Sequence, residues 1–331
     1  MTRSFVALPV FALAMCLACT KSSPLNVVYH PEQNPALLSD WKVIQVKDQG
    51  LQLGNNVMAY DLVTPLFSDY AHKLRTVWLP EGTAANYTAP ETFDFPVGTI
   101  ISKTFYYPRV PGSAVQDYRV MKADDTSASR LLDGFDLNSV RLIETRLLIH
   151  REQGWVALPY VWNAEQSEAR LQRTGAIQSV NLLDVDGNTQ TFPYIVPNTN
   201  QCVGCHATNA TTKTLHPIGP KARHLNKSYA YRDGEQNQLE AWKQSGILTG
   251  LPEAEIIPAN ADWTDSSQEL EQRARAYLDI NCSHCHNQNG PADTSGLLLE
   301  PDAPHGPSLG LCKLPIAAGT GTGDRKFGIV P

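Results

Sequence analysis

The feature that most constrains this chain is a five-residue pattern that occurs twice, as Cys202-Val203-Gly204-Cys205-His206 and as Cys282-Ser283-His284-Cys285-His286. Two cysteines separated by two residues lie on one turn of backbone, with a histidine directly after them. That set suits covalent attachment of a c-type haem: the two thiols add to the two vinyl groups of the porphyrin, and the imidazole ligates iron from below the ring. The implied cofactors are two covalently bound haem c groups. Cys202, Cys205, Cys282 and Cys285 attach them, His206 and His286 are the iron ligands, and the pattern names no catalytic residue. Four of the seven cysteines are used in this way.

Paired Cys-x-x-Cys segments also suit a four-thiolate zinc site, and structural disulfides are a third use. Neither needs the histidine that follows each pair. The start of the chain also points away from the cytosolic setting in which such zinc sites are usual. Arg3 precedes an apolar run from Phe5 to Leu17 that is short for a bilayer span, the pattern of a signal peptide over residues 1–19. Its end, Cys16-Leu17-Ala18-Cys19, resembles a bacterial lipoprotein processing site, with Cys16 standing where leucine is usual. The expectation is a lipid anchor at Cys19 and a location in the periplasm or cell envelope. Thr20 is not the aspartate linked to inner-membrane retention, which points to the outer membrane.

With 331 residues there is room for about two domains. The formal charge of -6, with no basic run, disfavours nucleic acid as a partner and suits a basic or neutral redox protein. Residues 20–36 read as a polar tether and 37–200 as a β-rich domain. Ser39-Asp40-Trp41 caps a short helical turn, and Val43 to Val46 and Leu51 to Leu53 alternate weakly. Thr99 to Tyr107 is β-branched and aromatic. In Arg141 to His150, Ile143, Leu147 and Ile149 fall on one face, opposite Glu144, Arg146 and His150; Val156, Leu158, Tyr160 and Trp162 line the next strand. Asp186-Gly187 makes a hairpin turn. Together these predict antiparallel sheet with one buried face.

Residues 201–264 form a first haem segment and linker. No helix precedes this motif, so the haem rides on the edge of the β domain; Glu235 to Gly246 reads as a helix with a glycine C-cap. Residues 265–331 differ. Asp265 to Glu269 supplies cap residues, and Leu270, Ala274, Tyr277 and Leu278 recur at helical spacing from about Ser266 to Ile280, so a helix delivers the second motif as in a small cytochrome c. No methionine and no periodic segment follow His286. The predicted fold class is α+β: an antiparallel β-rich N-terminal domain followed by a helical cytochrome c-like domain, incomplete at its C-terminus and with a poorly ordered tail.

The chain resembles a family of bacterial dihaem c-type cytochrome lipoproteins, often encoded beside a parallel-β-helix repeat protein. The resemblance covers nearly all of the mature chain. It rests on Tyr60-Asp61-Leu62, Pro65-Leu66-Phe67-Ser68-Asp69-Tyr70-Ala71, Phe95-Pro96-Val97-Gly98-Thr99, Glu144-Thr145-Arg146-Leu147-Leu148 and Tyr160-Val161-Trp162-Asn163. Both haem motifs, Ile218-Gly219-Pro220, Leu225-Asn226 and Asn281 through Gly296 complete it. The resemblance implies a possible parallel-β-helix partner and a native chain that continues past Pro331 through a methionine and a closing helix.

Other residues carry weaker expectations. His216 is the nearest candidate for a distal ligand of the first haem, and His305 the only substitute for a methionine at the second. His284 points to solvent. His72, Met58 and Met121 are structural, Glu144 and Arg146 form an ion pair, and Cys312 has no assigned role. Electron transfer is the leading function. The alternatives are a haem enzyme, peroxidase-like or another small-molecule oxidoreductase, with an open distal site on the first haem, and a structural or signalling haem protein.

Overall fold

The structure, a computed structural model, describes residues 25–89, 91–123, 130–131, 134–316 and 326–327. The signal peptide with Cys19, the start of the tether and nearly all of the tail beyond Ile316 lie outside the described residues.

The molecule is a mixed α+β fold, with β-rich antiparallel sheets in its N-terminal part and few helices in its C-terminal part. In chain order the strands are β1 (Ile44–Lys47), β2 (Gly50–Leu53), β3 (Met58–Tyr60), β4 (His72–Trp78), β5 (Ala85–Asn86), β6 (Ile100–Pro108) and β7 (Arg119–Met121). They continue with β8 (Arg130–Leu131), β9 (Gly134–Asp136), β10 (Val140–Arg151), β11 (Gly154–Trp162), β12 (Ala169–Leu171), β13 (Ala176–Leu183) and β14 (Thr189–Val196). Then come the helices α1 (Thr199–His206) and α2 (Ala222–Leu225), the hairpin β15 (Ser228–Tyr231) and β16 (Gly234–Asn237), α3 (Gln238–Gln244), β17 (Leu248–Thr249) and α4 (Leu270–Leu278).

The frame is a six-stranded antiparallel sheet in the order β12-β11-β10-β6-β4-β3. Its long central strands are built from Val, Ile, Leu, Thr and aromatics, the residues that fit a pleated, buried surface. The small sheet containing β1 and β2 belongs to one side of the frame, where Leu38, Trp41 and Val43 close a core over Ile100, Tyr106, Leu147, Ile149 and Leu158. Each such side chain contributes about 1.5–3 kcal/mol by leaving water. On the other side, Phe105, Tyr107 and Ile143 pack with Val180, Leu182 and Tyr194 of the β13–β14 hairpin, while Ile101 and Leu148 pack with Leu225, Leu239, Trp242 and Ile280. Two short pairs, β7 with β13 and β5 with β17, are parallel.

The sheet is therefore covered on both faces, which corrects the expectation of one buried face. Ile143 also departs from its predicted side. A bulge between Leu142 and Glu144 shifts the register against β6, so Ile143 joins the opposite core from Leu147 and Ile149. The helix expected over Glu235 to Gly246 starts later, because β16 uses the first residues and Asn237 caps α3. The helix leading to the second motif is shorter than predicted: Asp265 folds back onto Ser267 as a local turn, and regular helix begins at Leu270.

Candidate functional site

Strand β14 stops at Val196, and Pro197, which lacks an N–H, ends the ladder. Asn198 then caps α1: its side chain accepts from the Gln201 N–H, and the Gln201 side chain accepts from the Asn198 N–H. No helix precedes the first motif; the motif is itself the helix. Cys202 is buried and Cys205 exposed, and both thiols are free. The ring of His206 donates from Nδ1 to the carbonyl of His216 at 2.7 Å, and the His216 N–H returns a bond to the His206 carbonyl at 2.9 Å. With its proton on Nδ1, the imidazole keeps an unprotonated Nε2, the atom that ligates metals. Burial, reinforced by the positive charge of Lys103, pushes the His206 pKa down to about 4, so the ring is neutral at physiological pH.

The first motif faces a cavity whose wall is the sheet. Side chains at every second residue share a face, and the register gives them rows. Val77, Ile101, Leu148 and Ala157 make an apolar row across β4, β6, β10 and β11. One step along, Arg75, Lys103 and Arg146 stand directly opposite one another on β4, β6 and β10. Arg75 pairs with Asp61 at 2.7 Å. Arg146 is held by both oxygens of the fully buried Glu144, at 2.6 and 2.8 Å, and Tyr194 donates to Glu144 at 2.8 Å. The expected Glu144–Arg146 ion pair is present. Among the described residues Lys103 has no carboxylate partner; its ammonium lies 5.3 Å from the Phe105 ring centroid. Burial, then the neighbouring Arg146 and Arg75, pushes Lys103 down to about 7, and burial beside Arg75 pushes Lys73 to about 6.

The second motif is delivered by α4 through a π-helical turn, Asp279–Ser283. The buried Asp279 anchors this turn. It accepts from Arg223 at 2.7 and 2.9 Å, from Asn260 at 2.9 Å and from the Ser283 hydroxyl at 3.0 Å. Cys282 packs with Leu278, Leu297 and Leu298 beside Leu299 and Leu309. His286 donates from Nδ1 to Ser295 Oγ at 3.0 Å, and that hydroxyl passes its own proton to the Ala292 carbonyl at 2.6 Å. Nε2 of His286 is thus free, as in the first motif.

The two motifs touch. The Cys285 thiol donates to the Gly204 carbonyl at 3.6 Å, Ala210 N–H donates to the Asn289 carbonyl at 2.7 Å, and the Asn287 amide donates to the Thr208 carbonyl at 3.4 Å. Ile280, two residues before Cys282, lines the first motif's cavity.

Several single-residue expectations change. His216 meets His206 through its backbone carbonyl, which accepts from Nδ1 and not from Nε2, and it is not among the residues that line the first motif's cavity. His284 does not point to solvent: it is half-buried, with Nδ1 enclosed and unpaired, and burial then the nearby Lys221 lower its pKa. His305 pairs on the surface with Glu271 at 2.8 Å. His72 is structural, its Nε2 2.7 Å from the Ala123 carbonyl, and Met58 packs on the core of Trp242. Met121 is half-buried on β7, and Cys312 is exposed in left-handed backbone. Among the described residues no three His, Cys, Asp or Glu side chains converge to hold a metal ion, and no helix is long and apolar enough to cross a membrane. The cation row was missed, although its signal is the alternation of Lys73 with Arg75 and the Lys103 and Arg146 of the neighbouring strands. Comparisons with protein-family models, curated proteins and solved structures return no match to this chain.

Proposed function

We propose that this chain is a dihaem c-type cytochrome that carries electrons in the bacterial cell envelope. The observation that carries the proposal is the contact between the two Cys-x-x-Cys-His segments and the residues that follow them, joined by Ala210 to Asn289 and by Asn287 to Thr208. Two one-electron centres held on touching segments are arranged to pass an electron between them.

The residues fit the group. Cys202 with Cys205 and Cys282 with Cys285 offer free thiols on one turn each; each S–H adds across one vinyl C=C, the sulfur to one carbon and the hydrogen to the other, with no oxidant needed. His206 and His286 each hold their ring proton on Nδ1 against a fixed acceptor and leave Nε2 for iron. The bound haem iron supplies a one-electron Fe(III)/Fe(II) couple. The protein's own part is to orient the two imidazoles, exclude water with Ile101, Leu148 and Ile280 on one side and the leucines around Cys282 on the other, and hold the motifs together. Electrons come from and go to a redox protein partner, with a parallel-β-helix protein as a further partner and Cys19 as the lipid anchor.

One observation favours a second reading for the first site. No methionine and no histidine other than His206 line its cavity among the described residues. An iron there with an open sixth position suits a haem enzyme acting on a small molecule.

The test is direct. Protein matured in a host with c-type haem assembly is expected to keep two haems through denaturation, and Cys202→Ala with Cys205→Ala to keep one. Pigment released by acid-acetone, or zinc in place of iron, overturns the proposal. Carbon monoxide binding to the reduced first haem selects the enzyme reading; low-spin spectra from both haems select electron transfer.

A further inference from the structure

The first motif's cavity is amphiphilic in an ordered way. Across the same sheet face, the row Val77–Ile101–Leu148 is apolar and the next row, Arg75–Lys103–Arg146, is cationic. Like charges directly opposite on neighbouring strands destabilise a sheet, and this row makes two such pairs. Arg75 is buried and Lys103 half-buried, so water does little to relieve them. Asp61 and Glu144 neutralise the two arginines, which leaves Lys103 in the middle of the row without a carboxylate partner among the described residues. An ammonium held between two guanidinium groups either gives up its proton or is met by an anion, and a carboxylate brought to the row would keep it charged.

We propose that the Arg75–Lys103–Arg146 row is a carboxylate-binding edge that takes the propionates of the first haem, with Lys103 as the principal partner. The assignment rests on the cytochrome reading and deepens it. A porphyrin is apolar over its body and carries its two carboxylates together on one edge, so it matches a wall on which an apolar row gives way to a cationic one. Ionised carboxylates bonded to Lys or Arg make short, charge-assisted bonds. A cation beside the ring also favours the reduced iron, which carries one positive charge fewer.

The experiment compares wild type, Lys103→Met and Lys103→Arg in the full chain matured with haem. Covalent haem is counted on each motif, the propionate bending band is read by resonance Raman, and both midpoint potentials are measured. In Lys103→Met both haems are expected to stay attached, one propionate band to move and one midpoint potential to fall, with Lys103→Arg restoring both. Two attached haems with bands and potentials unchanged in Lys103→Met overturn the proposal while leaving the cytochrome reading intact. A wild-type chain with no covalent haem overturns the cytochrome reading, and this assignment with it. A second measurement does not depend on maturation of the variant. In the haem-free full chain the carboxylates of Asp61 and Glu144 are taken by the arginines and Lys103 has no carboxylate partner among the described residues, so Lys103→Met is expected to raise the thermal midpoint; an unchanged or lower midpoint overturns the proposal.

Discussion

The ring Nδ1 of His206 lies 2.7 Å from the carbonyl oxygen of His216, while the N–H of His216 bonds back to the carbonyl of His206. Because a carbonyl only accepts, the ring donates, and the acceptor is backbone. The side chain of His216 is therefore dispensable for the tautomer. His216→Ala is expected to keep the first haem with an unchanged absorption spectrum, whereas His206→Ala loses the native spectrum of that haem. A change of spin state in His216→Ala would show that its imidazole reaches iron after all.

Gly290 closes the loop after the second motif. A Cβ added there would sit 2.2 Å from the carbonyl oxygen of Cys285, a backbone atom that cannot swing aside. Gly290→Ala is expected to destabilise the fold by about 1–3 kcal/mol, as overpacking does, and to lower haem occupancy at the second motif first. The check is thermal unfolding combined with haem counting on separated peptides. Equal occupancy and an unchanged midpoint would refute the close approach.

Asp279 and His224 give the molecule a defined acid limb. Burial opposes ionisation of Asp279, but the hydrogen bonds from Arg223 and the nearby positive charge outweigh it and hold the carboxyl well below the usual range. Burial pushes His224 down to about 3, against the pull of Asp279 3.5 Å away. Both folded values lie below the unfolded ones, so both contributions are present at neutral pH and fade on acidification. The His224 contribution is lost from about pH 6.5, its unfolded value, towards 3; that of Asp279 begins to go only below about 4. His224→Gln is expected to make the fall of stability between pH 6.5 and 4 shallower in denaturant titrations, the remainder coming from His206 and His284. Asp279→Asn removes the carboxylate that holds the buried Arg223 at 2.7 and 2.9 Å and is expected to cost about 3–5 kcal/mol at neutral pH. A wild-type stability that does not change between pH 7 and 4 would contradict the first of these expectations.

The sheet was legible, and the two Cys-x-x-Cys-His patterns stood out, because their signals are local. Alternation in Val156 to Trp162 and the turn at Asp186-Gly187 depend on neighbours in sequence, and so do the two Cys-x-x-Cys-His patterns. What stayed hidden depends on partners far along the chain. Ile143 looked like a companion of Leu147, yet a bulge, which alternation alone does not reveal, turned it over. The row of Arg75, Lys103 and Arg146 exists only once three strands, separated by 28 and 43 residues of sequence, are set in register. Helix α4 was overextended at its start because Asp265 and Ser267 suit a cap and a free-standing turn equally well. The contact of Cys285 with Gly204 has no sequence signal at all.

Ser295 is to His286 what the His216 carbonyl is to His206, except that here the acceptor is a side chain and can be changed. Its hydroxyl proton is committed to the Ala292 carbonyl at 2.6 Å, so its oxygen is free to accept from the His286 ring at 3.0 Å. A ligand imidazole that donates to an acceptor is more basic and stabilises the more highly charged iron. Ser295→Ala removes the acceptor and is expected to raise the midpoint potential of the second haem while the first stays fixed as an internal reference. Ser295→Thr keeps a hydroxyl at the same position and is expected to restore the wild-type value. The Leu297 N–H also reaches Ser295 Oγ, at 3.2 Å, so Ser295→Ala loosens the loop as well. A loosened loop alone would lower haem occupancy without moving the potential of the haem that remains. Redox titration read against haem content separates the two effects, and a midpoint potential that stays at its wild-type value in Ser295→Ala would remove Ser295 from the control of the second iron.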